Sequence, residues 1–327
     1  MNKTLDPLVQ VKDLNVHFVS KDATVHAVNG IDFELHQQET LCVLGESGSG
    51  KSVMLRSLMR LNPSHKTVIT GTLRVNGQDL INASERELCN MRGRVVSMIF
   101  QEPMTALDPV FKIGLQIAET IVRHEGVSRA QADKRALDLL ELVQIPSAKQ
   151  RLNAYPFEMS GGLRQRAMIA IALACKPKLL LADEPTTALD ATVQIQILLL
   201  LRKLQKELGM GVIFVTHDLG VAGEIADRIA VMYAGRFIEE GPTRALMQNP
   251  LHPYTQGLLG ATVNPGMRGK RLITIPGAPP NLEHLPKGCA FAPRCSKVNS
   301  QCLSEMPHTK RPYPDRAARC VLLADAL

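Results

Sequence analysis

The sequence predicts an α/β protein with a parallel sheet core, an antiparallel β subdomain, a helical subdomain and a small cysteine-containing C-terminal domain. An apolar strand pattern at residues 40–44 runs into a glycine-rich loop and then a helical pattern. Further apolar runs alternate with helical patterns as far as about residue 240, as in parallel sheets covered by helices. Beyond residue 250 the composition changes, and nine of the twenty prolines follow residue 264. We therefore predict domains at residues 1–250 and 251–327.

Composition and charge narrow the class of protein. The 327 residues carry a net charge of +7, and residues 265–327 hold ten Lys or Arg against four Asp or Glu, a balance of +6. A basic tail of this kind is either a solvated surface or faces a negative partner. We expect no nucleic acid, because the chain has no Trp and the tail does not interleave aromatic with basic residues. We expect a cytoplasmic protein, since neither a signal core nor an apolar stretch of membrane-spanning length is found.

The glycine-rich loop fits the phosphate-binding pattern G-x-x-x-x-G-K-[ST]. Glycines let backbone N–H groups surround phosphate oxygens, and the N-terminus of the following helix adds partial positive charge. The lysine would reach the β- and γ-phosphates, and the last hydroxyl would hold Mg²⁺. The loop consists of Gly45, Glu46, Ser47, Gly48, Ser49, Gly50, Lys51 and Ser52.

The other elements follow from hydrophobic periodicity. Residues 8–18 and 25–35 alternate apolar with polar side chains and predict antiparallel strands. An apolar strand at 95–100 ends at Gln101, and residues 101–175 read as a mostly helical insertion in which Ser128 caps a helix. A long amphipathic helix covers 192–208, and a hairpin turns at residues 233–235.

Polar side chains stand where three predicted strands end. Asp183 and Glu184 follow an apolar run, and His217 follows the next strand along the chain. Beside a phosphate loop, the first carboxylate can hold Mg²⁺ and the second can polarise an attacking water. His217 and Gln101 can contact the γ-phosphate, the metal or its water. Taken one at a time, each of these residues also fits an ion pair or a structural hydrogen bond.

A second candidate anion site begins a later helix. Ser160, Gly161 and Gly162 place a hydroxyl and backbone N–H groups at the start of that helix. A plain helix cap is the alternative explanation. One chain needs only one phosphate loop, so a second such element indicates a nucleotide held by another subunit.

Together these motifs resemble the ATP-binding cassette (ABC) ATPases over about residues 8–250. The resemblance assigns the Walker A loop to residues 45–52, the Q-loop to Gln101, the signature to 159–163, the D-loop to 188–190 and the switch to His217. The signature departs from the family at Leu163, where Gln is usual. The family fold is a RecA-like parallel sheet with antiparallel and helical subdomains. Two such domains are expected to enclose two ATP molecules head to tail.

The resemblance also implies a role for each residue. Lys51 and Ser52 would hold ATP with Mg²⁺, to which Gln101 and Asp183 contribute, while residues 160–162 would cap the ATP of the second subunit. Glu184 would activate water with help from His217. An aromatic residue should stack on adenine, for which Phe18 is the first candidate and His26 the weaker one.

The C-terminal sequence resembles that of dipeptide and oligopeptide importer ATPases, most closely the D-type subunit. The segments that carry the likeness lie at residues 252–255, 276–280, 288–289 and 293–295. It implies a heterodimer with an F-type ATPase, two membrane permease subunits and, indirectly, a periplasmic or extracellular solute-binding protein. The chain would then lie peripherally on the cytoplasmic face of the inner membrane and energise peptide import. The alternative is a soluble ABC ATPase of DNA repair or translation, although no coiled-coil insertion or second cassette is found.

Four cysteines cluster in the tail, at Cys289, Cys295, Cys302 and Cys320. Four thiolates can hold a [4Fe–4S] cluster or a structural Zn²⁺, and free thiols are the third alternative. The resemblance favours the iron–sulfur cluster.

Overall fold

The computed structural model describes residues 6–187, 189–261 and 274–324. The strands, in chain order, are β1 (Val9–Val19), β2 (Thr24–Leu35), β3 (Thr40–Leu44), β4 (Thr67–Val75), β5 (Gln78–Asp79), β6 (Val96–Ile99), β7 (Leu179–Asp183), β8 (Gly211–Thr216), β9 (Arg228–Tyr233), β10 (Arg236–Pro242), β11 (Lys310–Tyr313) and β12 (Arg316–Ala318). The helices are α1 (Lys51–Ser57), α2 (Glu85–Met91), α3 (Pro103–Ala106), α4 (Ile113–Glu125), α5 (Arg129–Leu142), α6 (Ala148–Arg151), α7 (Gly161–Leu173), α8 (Ala191–Leu208), α9 (Leu219–Ile225), α10 (Thr243–Gln248), α11 (Pro253–Gly260) and α12 (Ser300–Ser304). Among the described residues, no helix combines the length and apolar character needed to cross a bilayer.

The chain forms two compact units. The loop unit comprises Val9–Glu34, Thr40–Val75 and Val215–Leu327 and contains the phosphate loop. The helical unit comprises Met1–Leu8, Leu35–Glu39 and Asn76–Phe214 and contains the predicted helical insertion. The division does not test the predicted boundary at residue 250, which stays a prediction.

In the loop unit, two groups of strands form around buried apolar faces. Both predicted strands are present as β1 and β2; β1 lies between β2 and β4, and it pairs antiparallel with β4. Burial alternates along β1 except at the irregularity between Lys12 and Asn15, and along β2 from Asn29 onward. The wholly buried β3 pairs parallel with β9, which turns back into β10 as the predicted hairpin. The last strands continue this group, because β12 pairs with β10 and β11 pairs with β12.

In the helical unit, β6 and β7 pair in parallel, and both strands are buried along their whole length. Parallel strands covered on both faces are expected to be apolar throughout, which explains the uninterrupted apolar run of β7. The predicted insertion contains α3 to α7. The side chain of Ser128 caps α5 by accepting a hydrogen bond from Gln131, as the sequence predicts, and Gln131 closes a capping box.

A buried ion pair ties the C-terminal strands to β10. The wholly buried carboxylate of Glu239 accepts hydrogen bonds from the backbone N–H groups of Leu251 and His252, each at 2.8 Å. It also accepts one from Arg316 Nη2 at 2.9 Å. Removing one partner of such a pair leaves a buried charge without compensation, which costs far more than losing a surface pair.

We expect Glu239→Ala to lower the free energy of unfolding by about 3 to 5 kcal/mol, because it leaves the buried Arg316 without its carboxylate partner. The control is Asp133→Ala, whose ion pair with Arg129 has both side chains 51% exposed. That change should cost about 1 kcal/mol or less. Chemical denaturation followed by circular dichroism measures both, and equal losses would contradict the assignment.

The side chain of His252 caps α11, because its Nδ1 accepts a hydrogen bond from the backbone N–H of Tyr254 at 3.0 Å. Burial lowers the pKa of His252 to about 3, so the folded protein keeps the ring neutral. The unfolded chain, with a pKa near the ordinary 6.5, takes up a proton first as the pH falls. Stability from this residue is therefore complete above about pH 6.5 and is lost progressively between about pH 6.5 and pH 3.

When the pH is lowered from about 7 to about 5, protonation of His252 in the unfolded chain should thus lower the free energy of unfolding by about 2 kcal/mol. His252→Asn keeps a capping acceptor but cannot titrate, so the variant should lack this part of the pH dependence. Denaturation curves of both proteins at the two pH values provide the measurement. Parallel pH profiles would show that the ring is not held neutral.

Candidate active site

The phosphate loop lies between β3 and α1 in the loop unit, in the predicted strand, loop and helix context. Two glycines fix its path. A Cβ on Gly45 would stand 2.3 Å from the carbonyl oxygen of Met232, and one on Gly50 would stand 2.2 Å from that of Ala27. Gly50 also has φ of 103°, in the left-handed region, and directly precedes α1. Any other residue at these two positions would displace the loop.

The lysine of the loop is buried and turned back on the loop itself. Lys51 Nζ donates hydrogen bonds to the carbonyl oxygens of Gly45 and Glu46, each at 2.8 Å. Ser52 follows it in the first turn of α1. The ammonium group is therefore held within the curve of the loop, where phosphate oxygens of a nucleotide would meet it.

The structure of the loop itself indicates a phosphate site. Ser49 Oγ is buried, and among the described residues it is one of the few buried side-chain polar atoms with no hydrogen-bond partner. A buried hydroxyl of this kind usually marks a missing acceptor or donor. A Cβ on Gly48 would meet nothing within 4 Å, so the backbone between the two tightly packed glycines borders an open cradle. ATP phosphates supply the acceptors that such a cradle needs.

His217 also belongs to the loop unit, one residue after β8 ends at Thr216. Its side chain is exposed. The next residue, Asp218, caps α9 by accepting hydrogen bonds from Gly220 N at 2.7 Å and Val221 N at 3.3 Å. The structure therefore places His217 on a short, fixed connection between a buried strand and a helix.

The predicted carboxylates lie at the end of β7 in the helical unit. Asp183 is the last residue of the strand and is buried, and Glu184 follows it with φ of 44°. Because β6 and β7 run in parallel, Gln101 emerges at the same edge. Gln101 Nε2 lies 3.4 Å from Glu184 Oε2, so the structure brings these two predicted residues together.

Thr187 is a site residue that the sequence analysis missed. Its Oγ1 donates a hydrogen bond to Glu184 Oε2 at 2.9 Å. A hydroxyl three residues after the carboxylate was the available signal, but one such hydroxyl predicts nothing by itself. Together with Gln101, it fixes the orientation of the Glu184 side chain.

The second candidate anion site is present at the start of α7. Ser160 Oγ caps the helix by accepting a hydrogen bond from Leu163 N at 3.4 Å, and the side chain is exposed. Gly162 packs against α8, since a Cβ there would stand 2.8 Å from Val193 Cγ1. Asp190 caps α8 through Val193 N, while Ala188 of the predicted D-loop lies outside the described residues. Ser160 of the predicted signature therefore lies at the surface, while Gly161 and Gly162 are half-buried.

The adenine-stacking candidates lie on the first two strands. Phe18 is half-buried near the end of β1, and His26 is half-buried on β2. The ring of His26 meets that of His17 edge to face, with centroids 4.4 Å apart. Burial and the neighbouring His26 lower the pKa of His17. Phe18 and His26 remain predictions for adenine stacking.

The metal prediction for the tail cysteines is wrong. Among the described residues, which include all four thiols, no group of three or more His, Cys, Asp or Glu side chains could hold a metal ion. The four thiols line one small cavity together with His252 and Phe291. Burial raises the pKa of the Cys289 and Cys320 thiols. Neither the [4Fe–4S] cluster nor the Zn²⁺ alternative is supported. Cys289, Cys302 and Cys320 are buried in the C-terminal region, and Cys295 is half-buried.

Family comparisons cover both parts of the chain. The family described as ABC transporter matches residues 28–187. The family described as oligopeptide/dipeptide transporter, C-terminal region, matches residues 238–302.

Individual proteins give the same result. The oligopeptide transport ATP-binding protein OppD of Salmonella typhimurium is 47% identical over 96% of this chain and 93% of that protein. OppD of Bacillus subtilis is 50% identical over 88% of this chain and 81% of that protein. Among solved structures, the dimeric ATP-binding cassette MJ0796 bound to ADP and Pi has a TM-score of 0.65 at 29% identity, covering 72% of this chain and 99% of its own. CbiO1 from Clostridium perfringens has a TM-score of 0.64 at 27% identity, and the match covers 75% of this chain and 92% of CbiO1.

These similarities confirm the predicted fold class and the predicted ATPase activity. They extend past the cassette into the C-terminal region, which a soluble repair or translation ATPase would not explain. The chain belongs to the ABC transporter ATP-binding proteins, in the group that carries the oligopeptide/dipeptide transporter C-terminal region.

Proposed function

We propose that this protein is the ATP-hydrolysing subunit of an importer of dipeptides, oligopeptides or related small solutes. The observation that carries the proposal is the extent of the similarity to OppD, which spans 96% of the chain and includes the C-terminal region. Its place would be peripheral, on the cytoplasmic face of the inner membrane. Its partners would be a second, F-type ATPase, two permease subunits and, through them, a solute-binding protein outside the membrane.

In this proposal the phosphate loop binds the triphosphate of ATP. The backbone after Glu46 borders the phosphates, and Lys51 exchanges loop carbonyl oxygens for phosphate oxygens. Ser52, Gln101 and Asp183 would hold Mg²⁺; a hydroxyl, an amide and a carboxylate are oxygen ligands that suit this ion. When bound there, Mg²⁺ would supply positive charge against the negative charge of the phosphates.

Glu184 is the proposed general base. Its carboxylate accepts the hydrogen bond from Thr187 and lies beside Gln101, so its position is set before any water arrives. His217 would contact the γ-phosphate and help to orient the water. Ser160, Gly161 and Gly162 would cap the nucleotide of the second ATPase, which agrees with the exposure of Ser160.

We expect Glu184→Gln to retain ATP binding and to abolish hydrolysis, because an amide cannot accept the proton of the attacking water. Phosphate release by the assembled complex should fall by about a hundredfold or more. Asp133→Ala, on the exposed face of α5, should leave the rate unchanged. Sustained turnover in the Glu184 variant would remove this residue from its proposed role.

Copurification tests the transport assignment. A tagged chain isolated from mild detergent extracts of its own cells should retain a different ATPase and two membrane proteins, identifiable by mass. In proteoliposomes with the solute-binding protein, that complex should take up peptide only with ATP, and Glu184→Gln should block uptake. Full ATPase activity of the isolated chain, without any membrane protein attached, would contradict the proposal.

A further inference from the structure

One residue of the phosphate loop is held by the C-terminal region. Glu46 forms a two-point ion pair with Arg294: Nη1 lies 2.7 Å from Oε2, and Nη2 lies 3.0 Å from Oε1. The Arg294 side chain is only 5% exposed, against 28% for Glu46. The hydrogen bonds to Glu46 raise the pKa of Arg294. Paired hydrogen bonds of this geometry fix direction as well as charge.

Arg294 is itself fixed by its surroundings. Its Nε donates to the carbonyl oxygen of Pro276 at 2.8 Å, and Nη1 lies 3.3 Å from the hydroxyl of Tyr233. The guanidinium carbon stands 5.8 Å from the ring centroid of Tyr233 and 5.9 Å from that of Phe291. Such contacts with aromatic faces favour arginine over lysine. The guanidinium group is therefore a rigid support and not a loose surface cation.

The backbone of Glu46 is held as well. Its N–H donates to the hydroxyl oxygen of Tyr254 at 3.0 Å, and Tyr254 is fully buried. The ring of Tyr254 packs on Tyr233 and Phe291, with centroids 4.6 Å and 5.3 Å apart. This N–H thus points to the C-terminal region. Within the loop, the N–H of Ser49 donates to the carbonyl oxygen of Glu46 at 3.2 Å.

Charge explains why this support matters to an ATP site. The Glu46 carboxylate is a negative group inside a loop that binds a polyanion, and alone it would repel the phosphates. The ion pair neutralises it and turns it toward the C-terminal region. The loop can then present backbone N–H groups and Lys51 without an opposing charge.

We propose that Arg294 and Tyr254 are positioning residues of the ATPase, which hold the phosphate loop and cancel the charge of Glu46. The inference rests on the proposed use of this loop for ATP. It assigns to the C-terminal region a direct influence on nucleotide affinity. Neither residue touches the reacting atoms; both act through Glu46.

The test uses the full chain in its assembled complex. Arg294→Met keeps the length of the side chain but removes its charge, and it should raise the KM for ATP about tenfold with a smaller change in kcat. Titration calorimetry should show the same loss for MgATP but little loss for adenosine, which has no phosphates. Adding Glu46→Gln to Arg294→Met should restore most of the affinity, because the uncompensated carboxylate is then gone.

Arg228→Met is the matched control. Arg228 pairs with Glu240 in the same unit, at the other end of β9 from Tyr233. The Arg228→Met variant should have a lower melting temperature but an unchanged KM for ATP. Arg294→Lys keeps a charge without the two-point geometry and should raise the KM about threefold. If Arg294→Met does not fold, Arg294→Lys takes its place in the binding measurements.

The inference is overturned if Arg294→Met, or Arg294→Lys in its place, binds MgATP as the wild type does. It is also overturned if the double variant binds no better than Arg294→Met, since the effect would then be general loosening. Failure of the transport proposal looks different. In that case the wild-type complex would hydrolyse ATP without peptide uptake, while the dependence of nucleotide affinity on Arg294 would remain.

Discussion

The loop unit depends on the close approach of backbone to backbone at the phosphate loop. Gly45 lies against the carbonyl of Met232 on β9, and Gly50 lies against that of Ala27 on β2. The N–H of Gly235 also donates to the carbonyl of Ser49 at 2.9 Å. The loop is thereby enclosed by strands from distant parts of the sequence, and its shape exists before a ligand arrives. A preformed cradle avoids the entropy cost of ordering a flexible loop around the phosphates.

In the helical unit, the ends of two parallel strands position the candidate site residues. Asp183 and Glu184 obtain their positions from the end of a buried strand, and Gln101 from the neighbouring parallel strand. Glu184 stands at a positive φ, an uncommon conformation for glutamate, and the hydrogen bond from Thr187 restrains its side chain. Strand register, local backbone geometry and one hydroxyl together determine where this carboxylate can act.

Local patterns predicted most of this fold, since each depends on residues near in sequence. The phosphate loop, the alternating β1 and β2, the hairpin at β9 and β10 and the cap at Ser128 are of this kind. The hold of Arg294 on Glu46 could not be predicted, because 248 positions separate the two residues. The metal prediction failed for a related reason: cysteine spacing reveals neither the arrangement of thiols in space nor the burial that raises the pKa of Cys289 and Cys320.

The contact between Glu46 and Arg294 also bears on how this chain can change over evolutionary time. Each residue alone is unfavourable where it stands: a carboxylate within a phosphate loop, and a guanidinium group in an aromatic interior. Replacing either residue leaves the charge of the other without a partner, which is unfavourable. The two positions should therefore be replaced together or not at all. The same reasoning applies to recombination, since a C-terminal region transplanted from a relative would preserve full affinity for ATP only if it brings a cation to meet Glu46.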